Sequence, residues 1–323
     1  MDAERISSRK NKYIAHLRAL ASDADYRYAC AEYLCDGIKL LTEALDKGAR
    51  VQSVLWKDAA EELPGLDGAK QYIAPAELFD YASPMKNSPG PVFTLAMPEG
   101  HSAELRRAVL LENVQDPGNV GTVIRTAAAL GFDTVILCGA CADVYSPKTA
   151  RATMGAIFRE NIVRMDITAA AEYIHSRGMK LYGAALSERA ADIRTAELKN
   201  AVVAIGSEGR GLSAELLSLC DGEVIIPMTP GSESFNAAIA AAIVMWEIVR
   251  YTERAGEADV RNKILAVAVE PDQCETGGKG RAYRSLRRRR TRMVCARGRV
   301  QDRARRERQR RGSARSTGHE RLR

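Results

Sequence analysis

Three short segments carry residue types suited to chemistry on a bound ligand. In ENVQDPGNVGTVIRTAAALGF, which begins at Glu112, a Pro-Gly turn delivers Asn119 to the start of a helix, where unpaired backbone N–H groups collect. Arg125 stands in the same helix among Val, Ile, Thr and Ala. In AVVAIGSEGRGLS, a Val/Ile strand ends at Gly206, and Gly206, Gly209 and Gly211 follow closely with Glu208 between them. Glycines after a strand let a backbone approach a ligand or take positive φ. In EVIIPMTPGSESFNAAIAAAIVMWEIVR, a strand ends at Pro227 and a loop holds Pro230 and Gly231. Ser234 and Asn236 then stand at the mouth of a helix whose Ala-rich first turns permit close packing on a backbone or cofactor.

Taken one at a time, these signals are weak. Asn119, Ser234 and Asn236 are ordinary helix-capping residues, and Arg125 alone reads as a solvent-facing side chain on an amphipathic helix. The glycine turn fits neither the G-x-G-x-x-G dinucleotide fingerprint nor a phosphate loop, which needs a Lys-Ser/Thr pair. Cys138 and Cys141 form a C-x-x-C, with no second pair or nearby His to complete a metal shell. We expect no metal, and read these as buried or loop thiols.

The elements around these segments alternate strand and helix from about 105 to 254, the pattern of a parallel sheet with helices on its faces. AVLLENV, DTVILCG, MKLYGAAL, AVVAIGS and EVIIPM read as strands. NVGTVIRTAAAL reads as a helix closed by Gly131, and SPKTARATMGAIF as a helix with Ser146 as N-cap and Pro147 in its first turn. Residues 1–97 form a smaller α/β unit. In it Leu40, Leu41 and Leu45 repeat at helical spacing, Gly48 stops that helix, and VQSVLW follows as a strand. The unit ends in the loop-rich FDYASPMKNSPGPV.

The chain has 323 residues and a formal charge of +7, but the excess is local. Residues 255–323 hold 21 basic and 8 acidic residues, against 27 and 33 in residues 1–254. The expected folded part is therefore mildly acidic, and the overall charge is no argument for nucleic-acid binding by the core. The Arg-rich stretch from 255 lacks apolar periodicity and is expected to be mostly disordered. A solvated tail that adds nothing to function is favoured there over loose binding to RNA phosphates. No apolar run is long enough for a membrane span, the N-terminus lacks a secretory h-region, and the cytoplasm is expected. Seven cysteines at irregular spacing do not suggest a disulfide framework.

In this order and spacing, the three segments together resemble the signature motifs of the SpoU/TrmH-type RNA 2′-O-ribose methyltransferases, within the SPOUT superfamily. The similarity covers most of 105–254, including DVYSPKTARATMGAIF, and CAEYLCDGIKLLTEALDKGARVQSVLW looks like that family's ribosomal-protein-like substrate-binding domain. Phe235 stands where Leu is more usual, and Ser207 where Asn is frequent. The resemblance implies an α/β fold with a C-terminal trefoil-knotted methyltransferase domain, a homodimer, and S-adenosylmethionine as cofactor. It implies that Gly206, Glu208, Gly211, Ile226, Met228 and Ser234 line the cofactor pocket. Asn119, Arg125, Glu208, Ser234 and Asn236 would surround the reacting ribose. Lys148 and Arg151 match basic positions of the family, and Lys10 and Asn11, with Ser8, are weaker candidates for RNA contact.

Two rivals belong to other classes. A non-catalytic RNA-binding protein on the same fold would tolerate loss of Arg125, Glu208, Ser234 or Asn236, yet all four are present. A dehydrogenase would need the dinucleotide fingerprint and its acidic residue, which are missing. The N-terminal resemblance is to methylators of large-subunit rRNA, so rRNA is the expected substrate ahead of tRNA.

Overall fold

Two sheets, consecutive in the chain, account for every strand among the described residues. A computed structural model of the protein describes residues 3–100, 105–229, 231 and 234–252. The Arg-rich stretch from 255 lies outside them.

The first sheet draws on β1 (Glu4–Arg5), β2 (Glu32–Asp36), β3 (Val51–Lys57), β4 (Lys70–Ala74) and β5 (Val92–Ala96) in the order β1-β4-β3-β5-β2. Around it lie α1 (Lys12–Ser22), α2 (Ala24–Cys30), α3 (Ile38–Asp46) and α4 (Ala76–Ala82). Asn11 caps α1 by accepting the Tyr13 N–H at 2.8 Å, and α1 buries Ile14, Leu17 and Leu20 on one face. Those side chains join Leu34, Leu55, Leu78 and Phe79 in a core on that side of the sheet. As expected, α3 gives way near Gly48, whose φ is +70°, and β3 follows.

The second sheet is wholly parallel. It contains β6 (Ala108–Glu112), β7 (Thr134–Cys138), β8 (Asn161–Arg164), β9 (Lys180–Ala184), β10 (Ala191–Asp192), β11 (Ala201–Ile205) and β12 (Gly222–Ile225). Their order is β10-β12-β9-β11-β6-β7-β8. Strands β6, β7 and β11 are buried at every position, as continuous apolar runs between two helical layers must be. One layer contains α5 (Pro117–Ala129), α6 (Pro147–Ala152) and a helix over 237–252, here α9. Their buried residues pack with Val109, Leu111, Val135, Leu137, Val203 and Ile205. The other layer contains α7 (Ile167–His175) and α8 (Ala214–Leu219), which pack against the alternate residues Ala108, Leu110, Ile136, Val202 and Ala204.

The chain runs outward from β6 through β7 to β8, then crosses to β9 on the far side of β11. The reversal lies between β6 and β11. In open parallel sheets the crevice beyond the strand ends at such a point is where ligands bind.

The core facing α5 and α9 is continuous with residues of the first sheet, including Tyr33, Val54, Trp56 and Phe93. A buried ion pair also joins the two parts. Arg27 of α2 donates from Nε and Nη2 to Asp143 Oδ2 at 2.9 and 2.6 Å, and from Nη1 to the Leu20 carbonyl at 2.6 Å.

Two local expectations are corrected. The helix starting after Ser146 does not run through Phe158: α6 ends at Ala152, and a 3-10 turn occupies Ala156–Phe158. Between them Met154 and Gly155 both take positive φ, and a Cβ on Gly155 would stand 2.5 Å from Cγ of Glu43 on α3. Glycine suits both the turn and so close a neighbour at 155. The N-cap of α5 is Asp116, whose Oδ1 accepts the Asn119 N–H at 2.9 Å, which leaves the Asn119 side chain free for other partners.

Candidate active site

Asn119, Glu208 and Asn236, one from each sequence segment, meet in one hydrogen-bonded cluster. Each arrives by a different local device. Asp116 caps α5 and places Asn119 in its first turn. The glycine loop after β11 carries Glu208, and Asn236 caps α9, its Oδ1 accepting the N–H groups of Ala238 and Ile239 at 3.0 and 3.3 Å. Glu208 Oε1 accepts from Asn119 Nδ2 at 2.5 Å, from Asn236 Nδ2 at 2.9 Å and from the Ala237 N–H at 3.3 Å. Asn236 Nδ2 also donates to Asn119 Oδ1 at 3.1 Å. A carboxylate fed by three N–H groups at a helix N-terminus is in a favourable electrostatic position, because the helix dipole adds to the hydrogen bonds.

Beside this cluster, at the ends of β6 and β11, lies a cleft of about 560 Å³. Its walls include Asn113, Gln115, Asp116 and Ala140 on one side and the run Ser207–Ser213 on the other. The size is in the usual range for a small-molecule site. The loop keeps its shape through its glycines. Gly211 has φ +65° and donates its N–H to the Ser207 carbonyl at 2.9 Å, closing a tight turn. A Cβ on Gly206 would lie 2.2 Å from the Gly211 carbonyl carbon, whereas one on Gly209 would meet nothing within 4 Å. Gly206→Ala is therefore expected to force the turn open and to cost about 1–3 kcal/mol of stability in a denaturant melt, the scale of a forced overpacking. Gly209→Ala should melt as the native protein does.

The other expected site residues are placed less centrally. Arg125 is exposed, with no hydrogen bond or ion pair among the described residues. It lies six residues beyond Asn119, about 9 Å further along α5 and on a different face. Ser234 is exposed at the approach to α9 and is not bonded to the cluster. Glu208 and Gly211 line the cleft; Gly206 anchors its wall; Ile226, Met228 and Ser234 are not among its lining residues. Lys148 on α6 pairs with Asp116 at 3.6 Å, and Arg151 is exposed on the same helix. Lys10 is exposed beside Asn11, whose side-chain carbonyl is used in capping α1. Cys138 and Cys141 are buried, and burial first, then the neighbouring Cys141, pushes the Cys138 thiol up to about 12.

The sequence reading passed over Glu112 and Asn113, at the end of β6. Asn113 takes φ +56° and its Oδ1 accepts the Ala140 N–H at 2.8 Å, tying two parts of the cleft wall together. An Asn between a strand and a Pro-Gly turn was the available signal.

The SpoU rRNA methylase family model matches residues 106–246. Over 246 residues the chain is 31% identical to the 23S rRNA (guanosine(2553)-2'-O)-methyltransferase RlmP of Bacillus subtilis (strain 168), spanning 76% of this chain and 99% of that protein. The chain belongs to the SpoU family. The resemblance read from the three segments is thereby borne out. Among solved structures, an AdoMet-bound rRNA methyltransferase from Sinorhizobium meliloti superposes with TM-score 0.69 and 26% identity, covering 77% of this chain and 98% of that one. The SpoU methyltransferase AviRb from Streptomyces viridochromogenes, in complex with AdoMet, gives TM-score 0.67 and 27% identity, covering 76% and 100%.

Proposed function

We propose that the protein methylates a ribose 2′-hydroxyl in structured RNA, with S-adenosylmethionine as donor and ribosomal RNA as substrate ahead of transfer RNA. The observation that carries this reading is the Asn119–Glu208–Asn236 cluster beside a cleft at the sheet's reversal point. The cleft's chemistry fits the cofactor. Open space at Gly209 and Gly211 lets a ligand reach the loop backbone, and the Glu208 and Asp116 carboxylates border it, suiting a cationic sulfonium.

Glu208 and Gly211 would hold the cofactor in this cleft, with Gly206 anchoring its wall, and Ile226, Met228 and Ser234, outside that lining, would complete the site. When bound, the cofactor supplies an electrophilic methyl group. Glu208 holds the Asn119 and Asn236 amides in fixed orientation, so both can position a ribose without reorganisation. Arg125 stabilises the negative charge that grows on the 2′-oxygen and grips the adjacent phosphate. It acts through its positive charge and its fork of N–H donors, and the hydroxyl proton leaves to phosphate or water. Lys148, Arg151 and, more weakly, Lys10 and Asn11 would contact RNA phosphates, with residues 1–97 serving as the substrate-binding domain.

The family's trefoil knot and homodimer belong to the same reading. The return of α9 onto the core face beside β6 and β11 supports the knot. Phe235, Ile239 and Trp246, at 37%, 52% and 59% exposure, support the dimer: Ile239 and Trp246 stand seven residues apart on one face of α9, and Phe235 just precedes its cap. Trp246→Glu is expected to raise the dimer dissociation constant about 30-fold or more, as loss of an interface hot spot does. Sedimentation over a concentration series reads this, and unchanged association would remove this face from the interface. Among the described residues, no helix is long and apolar enough to cross a membrane. The five cysteines among the described residues are free thiols, which suits a reducing, cytoplasmic location.

The test is to map ribose methylation in RNA from cells with and without the gene. Loss of a single 2′-O-methyl mark in rRNA is expected. An unchanged map, with labelled methyl transfer absent in vitro, would favour a non-catalytic RNA-binding protein.

A further inference from the structure

Glu112 is fully buried, the last residue of β6, whose other four residues are all apolar. A carboxylate there is costly unless its position is used, because an apolar side chain of similar volume would fill the space at lower cost. One oxygen has a clear use. Oε2 accepts the backbone N–H of Ser213 at 2.8 Å, across 101 residues of sequence. The other, Oε1, is buried and has no hydrogen-bond partner.

Ser213 marks the far end of the glycine loop and is the N-cap of α8, its Oγ accepting the Leu216 N–H at 3.1 Å. The near end of the loop is fixed by the sheet. Ile205 pairs with Leu111, which brings Gly206 alongside Glu112. Thus both ends of Gly206–Ser213 are referred to the same residue of β6, one through strand register and one through the carboxylate. Asn113, next in the chain, secures the opposite wall through Ala140. Two adjacent residues at one strand end therefore set the spacing of the cleft's two walls.

We propose that Glu112 is a positioning residue for the cofactor: it tethers the end of the glycine loop to β6 and holds the loop in its binding shape. The inference rests on the reading of this cleft as the cofactor site. Glu112 does not line the cleft, and it acts through Ser213.

Glu112→Gln keeps a carbonyl oxygen to accept the Ser213 N–H, whereas Glu112→Leu removes the acceptor at similar size. With that donor left buried and unpaired, E112L should bind S-adenosylhomocysteine about tenfold or more weakly. Amide exchange in a peptide covering 206–213 should accelerate, and any fall in kcat at saturating cofactor should be smaller than the fall in affinity, because bound cofactor holds the loop that carries Glu208 in place. E112Q should restore affinity and exchange to near-native values. Glu112→Asp, which keeps the charge but withdraws the oxygen, should lose affinity in the same direction and replaces E112L if that variant does not fold. Native affinity and native loop exchange in E112L or E112D would overturn the proposal, as would a loss in E112Q equal to that in E112L. In the native protein, S-adenosylhomocysteine should slow exchange in 206–213. Binding without that slowing would refute the cleft reading, and this inference with it. Slowing in the native protein together with native-like E112L would refute the role of Glu112 alone.

Discussion

Replacing Arg125 with alanine is expected to lower kcat about 10²–10³-fold, the usual cost of removing one group that stabilises charge in a transition state. Affinity for S-adenosylhomocysteine should stay close to native. The structure makes this an unusually clean variant. Arg125 is exposed and has no bonded partner among the described residues, so its removal should change stability by no more than about 0.5 kcal/mol. Arg125→Lys should recover little of the loss. An ammonium keeps the charge but cannot present the planar fork that spans an oxyanion and a phosphate together. Steady-state kinetics with RNA and cofactor varied separately, alongside calorimetry, reads both quantities. Equal falls in turnover and cofactor affinity would contradict the assigned role.

Arg27→Met should destabilise the protein by about 3–5 kcal/mol, the penalty for leaving one member of a buried pair uncompensated. Asp143 would lose two of its four hydrogen bonds. At present it accepts from Arg27 Nε and Nη2, from Tyr28 OH at 3.1 Å and from the Tyr145 N–H at 3.1 Å. The pair's side chains are only 5% and 18% exposed, so solvent cannot replace the lost guanidinium. The melting temperature should fall by roughly 10 °C. Arg27→Met combined with Asp143→Leu should recover much of the loss, since removing both charges removes the unpaired one. A single variant as stable as the native protein would mean that the ion pair does not hold the two sheets together.

The parts of the fold legible in the sequence were those whose signal is local. AVLL, VILC and AVVAI are continuous apolar runs, the pattern of strands buried on both faces. Gly48 and Gly131 ended helices as expected because a left-handed residue after a helix favours glycine. The break after Ala152 had Gly155 as its one local sign, and the neighbour that leaves no room for a side chain there, Glu43, is more than a hundred residues away. In the site, Asn119, Glu208 and Asn236 were legible only as a set: each is a plain capping or loop residue until the other two stand beside it. Glu112 was overlooked for the same physical reason. Its meaning lies in the Ser213 N–H, and nothing within its own segment points there.

The most direct test of the account is a crystal structure with S-adenosylhomocysteine bound. The account predicts the ligand between the Asn113–Asp116 wall and the Ser207–Ser213 loop, with Asn119, Glu208 and Asn236 still joined beside it. Ligand bound elsewhere, or those three side chains apart when the cleft is filled, would contradict it.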